Sequence, residues 1–136
     1  MAYLAVAIGG FLGACVRYAI QEWMGTWGGF PAATLIINSV GSFLLAWFYT
    51  ITLERLPVHP HLRVGLGTGF IGAFTTFSTL NLELWTLWSA AEYKLALLYL
   101  CTTYGLGLLA AGSGYLLAVR QSQLRMTRET GRGVFR

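Results

Sequence analysis

Apolar residues fall into four long runs, separated by short clusters of charge, proline and tryptophan. The first spans about residues 2–20 and carries no charge before Arg17. The second, 34–53, is twenty residues without a charge, and the fourth, 95–119, is twenty-five. The third covers about 64–90. Roughly twenty apolar residues in a helix cross the hydrocarbon core of a bilayer, so the pattern predicts four membrane-spanning helices. The turns fall at Gly28-Gly29-Phe30-Pro31, at the loop from Glu54 through Arg55, Pro57, His59, Pro60 and His61 to Arg63, and at Glu92–Lys94. Trp23 and Trp27 read as aromatics at the membrane interface.

The third run makes a poor plain helix. Gly65, Gly67, Gly69 and Gly72 come first, and Thr75, Thr76, Ser78 and Thr79 follow. An interior glycine costs about 1 kcal/mol against alanine, and hydroxyls compete with the helical ladder for backbone partners. A segment that only had to cross lipid would carry leucine. The expectation is a broken or unwound helix over 69–83, lining a site, because irregular backbone at membrane depth persists only where protein or water covers it.

The other spans carry polar or small residues at helical spacing. Thr34, Asn38, Gly41 and Ser42 form one stripe on the second, and Tyr99, Thr103, Leu106, Ala110 and Ser113 one on the fourth. Gly9 and Gly13 make a small-residue face on the first, and Gly105, Gly107, Gly112 and Gly114 permit close packing on the fourth. Phe70, Phe74 and Phe77 follow i, i+4, i+7. Neutral donors such as Asn38, Ser42, Ser78, Thr79 and Thr103 can hold an anion loosely enough for it to leave, and ring edges carry partial positive charge. Unwound carbonyls suit a cation instead. Plain helix packing also accounts for the spacing, which by itself does not decide.

Composition narrows the class. Of 136 residues, 56% are hydrophobic and 10% charged, where a soluble domain carries about 25% charged. The nine basic residues give a net charge of +4, but they flank the apolar runs or lie in the tail (Arg120, Arg125, Arg128, Arg132, Arg136), so no nucleic-acid partner is implied. The organisation is one membrane unit over 1–119 and a basic tail over 120–136. The tail tips the charge bias towards termini inside the cell, and without it the split is near even. A chain this small hardly encloses a pathway alone, so a homodimer, antiparallel or not, is expected. Cys15 and Cys101 read as small buried hydrophobes. His59 and His61 read as exposed loop residues. No nucleophile–histidine pair, carboxylate pair or metal cluster appears, so the chain is not expected to be an enzyme.

Three motifs in order, Gly9-Gly10-Phe11-Leu12-Gly13-Ala14 through Arg17-Tyr18, Thr34 through Asn38 to Ser42, and Gly69-Phe70-Ile71-Gly72 through Thr75-Thr76-Phe77-Ser78-Thr79, resemble the CrcB/Fluc family of small fluoride channels. The resemblance runs from the first span to the end of the fourth. It implies an all-α membrane protein of four transmembrane helices with a break in the third, assembled as an antiparallel, dual-topology homodimer in the cell inner membrane. It further implies two pores passing fluoride out of the cytoplasm and a structural Na+ at the dimer centre. By position, Asn38 resembles the pore asparagine, Phe77 the first pore phenylalanine, and Ser78 and Thr79 the hydroxyl pair after it. Tyr99 and Thr103 match the polar track of the fourth helix, and Gly72 and Thr75 the break positions whose carbonyls hold sodium. Arg17 resembles the basic residue of the first helix and Glu83 an acidic position near the vestibule. Ser42 and Phe74 complete the pore set on their stripes.

One position departs. The family pattern usually reads Phe-Ser-Thr-Phe, and here position 80 is leucine. Leucine fills space but has no quadrupole, so one ring contact is lost. Two other readings stand beside the channel. A small proton-coupled multidrug transporter needs a membrane-embedded carboxylate, and Glu83 is the one acid well inside a span. A non-conducting assembly subunit would use the glycines for packing alone.

Overall fold

The protein is seen in a computed structural model that describes residues 2–54 and 58–133, apart from the side chains of Glu54 and of 124–133. The expectations placed on Arg55, Pro57 and Arg136, and on the side chains of Arg125, Arg128 and Arg132, lie outside the described residues. Among the described residues the fold is helices and turns. Helix α1 is Ala2–Met24, α2 is Ala32–Glu54, α3 is Pro60–Val64, α4 is Gly72–Phe74, α5 is Ser78–Ser89 and α6 is Tyr93–Gly133. A π-helix, Gly65–Ile71, joins α3 to α4, so 60–74 is one continuous helical arm and α5 a second. Three helical stretches are long and apolar enough to cross a membrane, Ala2–Met24, Ala32–Leu53 and Tyr93–Gln123. This is a multi-pass membrane protein.

The glycine run does not unwind. Gly65, Gly67 and Gly69 stay helical and buried, in the wider π form. They do so because α1 lies against them with almost no space between. A methyl on Gly9 would run into the Gly65 carbonyl oxygen, and one on Gly13 into that of Phe70. Tyr49 of α2 lies over Gly67, and its hydroxyl meets that of Thr68 at 3.0 Å. Here glycine permits contact between helices rather than irregular backbone. The helical arm ends later, where Thr75 turns extended at φ −74°, ψ 157°.

Helices α2 and α6 run side by side in one direction. A methyl on Gly107 would come 3.8 Å from the Ser42 hydroxyl, Gly114 abuts the Phe43 carbonyl, and Trp47 Nε1 donates to Gln121 at 3.0 Å. Of Gly105, Gly107, Gly112 and Gly114, Gly114 alone makes a close backbone approach; Gly105 and Gly112 face open space. The tail expected from residue 120 continues α6 as helix to Gly133. At the other end, α1 and α2 are joined by a two-residue hairpin turn. Gly28 and Gly29 have φ of 59° and 83°, and Trp27 and Phe30 exchange both backbone hydrogen bonds, at 3.1 and 3.0 Å, as a primed turn requires. Phe30 thereby joins a core of Leu80, Leu87, Ala96 and Tyr99.

Two expectations are corrected. Cys15 and Cys101 are free but exposed on this chain, not buried; the outer face of a membrane helix is as apolar as its core, so apolar context did not imply burial. The fourth-helix stripe also serves no single site: Thr103 borders one groove beside α2, and Leu106, Ala110 and Ser113 border another.

The α1 contact yields a test. Gly13→Ala should destabilise the purified protein by about 1–3 kcal/mol, read as a lower thermal midpoint in detergent. Gly10→Ala should stay within about 0.5 kcal/mol of the parent, since its methyl would meet nothing nearer than 3.9 Å.

Candidate functional site

Between the two arms, residues 75–77 leave the helical path, and side chains from two other helices take up their backbone groups. Asn38 of α2 pairs with Thr76 in both directions: its Nδ2 donates to the Thr76 carbonyl at 2.9 Å and its Oδ1 accepts the Thr76 N–H at 2.8 Å. In a continuing helix that N–H would go to the Gly72 carbonyl. Gly72 instead accepts the Thr75 hydroxyl, at 3.4 Å. Arg17 Nε donates to the Ala73 carbonyl at 3.1 Å, putting positive charge at the negative end of the first arm. Thr76 finishes the junction: its hydroxyl accepts the Thr79 N–H at 3.2 Å and donates to the Thr79 hydroxyl at 3.0 Å, while Ser78 Oγ lies 3.3 Å away. That caps the start of α5. Gly41 faces Thr75 so closely that any side chain there would strike it.

A groove of about 370 Å³ opens beside this junction, lined by Asn38, Ser42, Thr75, Thr76, Phe77 and Leu80 on one side and by Thr103, Tyr104, Gly107, Leu108 and Ala111 of α6 on the other. Among the described residues, the Thr103 hydroxyl is the one buried side-chain polar atom without a hydrogen-bond partner, and the residue is 7% exposed. Leaving such a group unpaired costs about 1–3 kcal/mol. A second groove, of about 490 Å³, lies on the opposite side of the α2–α6 pair. Its serines, Ser39 and Ser113, donate to the Leu35 and Ala110 carbonyls at 2.8 Å each. They have no proton left for a guest, so chemistry belongs to the first groove.

The phenylalanine stripe does not survive the break. Phe70 and Phe74 keep parallel rings, 6.3 Å between centroids, and Phe74 is buried. Phe77, past the junction, turns outward and is 66% exposed. Leu80 turns inward at 3% exposure and packs with Tyr99. Ser78 is exposed beside Phe77, and so is Asn81, whose amide donates to the Phe77 carbonyl at 2.8 Å.

Glu83 is held, not free. Thr34 donates to its Oε1 at 2.8 Å and Tyr99 to its Oε2 at 2.6 Å. Gln21 of α1 donates in turn to the Thr34 hydroxyl, at 3.5 Å. Three helices thus meet at one carboxylate, with α1 joined to it through Thr34. Arg17 and Glu83, both expected at a vestibule, are engaged with the break and with this cluster respectively. Sequence reasoning passed over Thr76, Asn81, Thr34 and Gln21 as site residues. Thr76 stood inside the hydroxyl run and Thr34 on the α2 stripe, so both carried a signal; the uncharged Gln21 and Asn81 carried none. His59, at the start of α3, and His61, within it, are both exposed, 4.9 Å apart by ring centroid, and no cluster of three metal-ligating side chains occurs among the described residues.

Comparison with known proteins accounts for most of the chain. Residues 4–115 match the family model described as CrcB-like protein, Camphor Resistance (CrcB). The chain is 46% identical over 120 residues to fluoride-specific ion channel FluC 1 of Moorella thermoacetica, covering 87% of this chain and 86% of that one. It is 42% identical over 120 residues to FluC 2 of Geobacillus kaustophilus, with 87% and 93% covered. It is also 42% identical over 116 residues to FluC of Oceanobacillus iheyensis, with 85% and 90% covered. The sequence motifs, the interrupted arm and these matches together make the chain a member of the CrcB-like family of membrane proteins.

Proposed function

We propose that this chain is a fluoride channel subunit, two copies of which assemble antiparallel in the cell inner membrane and let cytoplasmic fluoride leave down its gradient. The observation that carries the reading is the groove with its unpaired Thr103 hydroxyl, set beside the start of α5. Helix starts favour anions. Asn38 has two amide protons and spends one on the Thr76 carbonyl. The other, with the hydroxyls of Ser42 and Thr103, can replace part of an anion's water shell without a fixed charge to trap it. Phe77 offers a ring edge at the rim. No step here needs a catalytic group. The relatives are named for fluoride, and that supplies the identity of the ion.

Exposure supports the assembly. Gly72, Phe77, Ser78 and Asn81 are all exposed on one chain, and polar groups at membrane depth do not face lipid. A second copy on this face covers them and closes the groove. In this reading the two arms form together the third of four spans.

The proposed sodium also fits the residues present. Losing the Thr76 N–H leaves the Gly72 carbonyl with one weak partner, at the end of the arm and exposed. Such carbonyls are neutral, hard oxygen donors of the kind that hold Na+. One chain supplies the Gly72 and Thr75 oxygens, too few for a cation alone, and a second copy would complete the set. The ion would tie the two copies together.

Purified protein in vesicles should release fluoride under a gradient and retain chloride; release of neither, or proton-coupled exchange of a cation, would sink this reading. In the same assay, Phe77→Ile should cut fluoride flux at least tenfold while the assembly survives on size-exclusion chromatography; unchanged flux would remove Phe77 from the pathway. Asn38→Asp loses the donor to the Thr76 carbonyl and gains a charge that repels anions, so its flux should fall at least as far, and a parental rate would count against Asn38. Leu80→Phe should keep or raise flux, the groove beside position 80 giving the larger ring room; a well-folded but silent variant would count against this reading.

A further inference from the structure

The hairpin between α1 and α2 reaches the Glu83 cluster through one ring. Phe30 meets Tyr99 edge to face, 5.5 Å between centroids at 82°. Tyr99 is fully buried, and its hydroxyl donates to Glu83 at 2.6 Å. Tyr99 precedes the groove's unpaired Thr103 by one helical turn on α6. The direction of the Tyr99 side chain sets whether its hydroxyl reaches the carboxylate, and Phe30 is packed at right angles against its ring. Phe30 owes its own place to the turn. Its backbone pairs with Trp27 across Gly28 and Gly29, both left-handed, before Pro31 leads into α2. A methyl on either glycine would touch nothing within 4 Å, so these glycines serve the backbone shape and no packing.

We propose that Phe30, set by the Trp27–Phe30 turn, is a positioning residue for fluoride conduction that acts through Tyr99, fixing the Tyr99–Glu83 hydrogen bond at one end of the groove. The proposal rests on the channel reading above. Edge-to-face aromatic pairs contribute beyond their buried area, and a tyrosine released from one would sample positions in which its hydroxyl misses Glu83.

The test is a double-mutant cycle on fluoride efflux from vesicles, with the unaltered chain as control. Phe30→Leu keeps bulk but loses the ring and should slow efflux about threefold or more. Gly29→Val disfavours the left-handed turn without touching the core, and should slow efflux in the same direction. In a Tyr99→Phe background neither change should slow it further, because the hydroxyl they act through is gone. Effects that multiply in that background would overturn the proposal, as would parental efflux in both Phe30→Leu and Gly29→Val. If Phe30→Leu fails to assemble, the Gly29→Val pair decides alone. A control chain that conducts no fluoride would instead overturn the channel reading, so the two failures are told apart.

Discussion

A helix interrupted inside a bilayer leaves amides and carbonyls that water cannot reach, and each left unpaired costs several kcal/mol. The fold is arranged to answer that demand at one junction. Asn38 satisfies both backbone groups of Thr76, Arg17 takes the Ala73 carbonyl, and the Thr76 hydroxyl caps α5. These partners come from α2, from α1 and from the junction itself. They require α1 and α2 to lie close by, which is why small residues stand where they do. Gly9 and Gly13 bring α1 onto the first arm, and Gly41 brings α2 against Thr75.

With the junction satisfied, what remains unsatisfied is informative. Most polar side chains at membrane depth have partners. Ser39, Thr50, Thr52, Thr102 and Ser113 all donate to carbonyls of their own helices. Thr103 does not, and it lies in the groove that Asn38 and Ser42 also line. The carboxylate of Glu83 sits among donors from α2 and α6, with Gln21 of α1 behind them. Charge is thus kept at fixed, paired positions while the groove itself is lined by neutral groups.

The sequence made the helical class, the spans of α1, α2 and α6, and the place of trouble in the third run legible, because hydrophobic length and hydroxyl clustering are local signals. The Gly9/Gly13 face and the α2 stripe could also be read, since one face of a straight helix keeps its spacing: Thr34, Asn38, Gly41 and Ser42 all turn toward α5 or the break. The position of the break could be read only to within 69–83. Glycine at 65, 67 and 69 reads alike as weakness or as room for a neighbour, and only the neighbour decides. The Phe70-Phe74-Phe77 stripe failed for a related reason, since spacing assumes one continuous helix. The hydrogen bonds of Arg17 and Glu83 could not be read either, because their partners, Ala73, Thr34 and Tyr99, lie 16 to 56 residues away in the chain.

The twofold grip of Asn38 on Thr76, joined by Arg17 on Ala73, has a mechanical consequence. Rewinding the interruption into regular helix would mean releasing three hydrogen bonds held by two separate helices at the same moment. Each of those bonds would be lost where no solvent waits to replace it. The interruption is therefore a fixed fitting rather than a hinge, and the two arms keep one relative angle as the rest of the molecule vibrates around them.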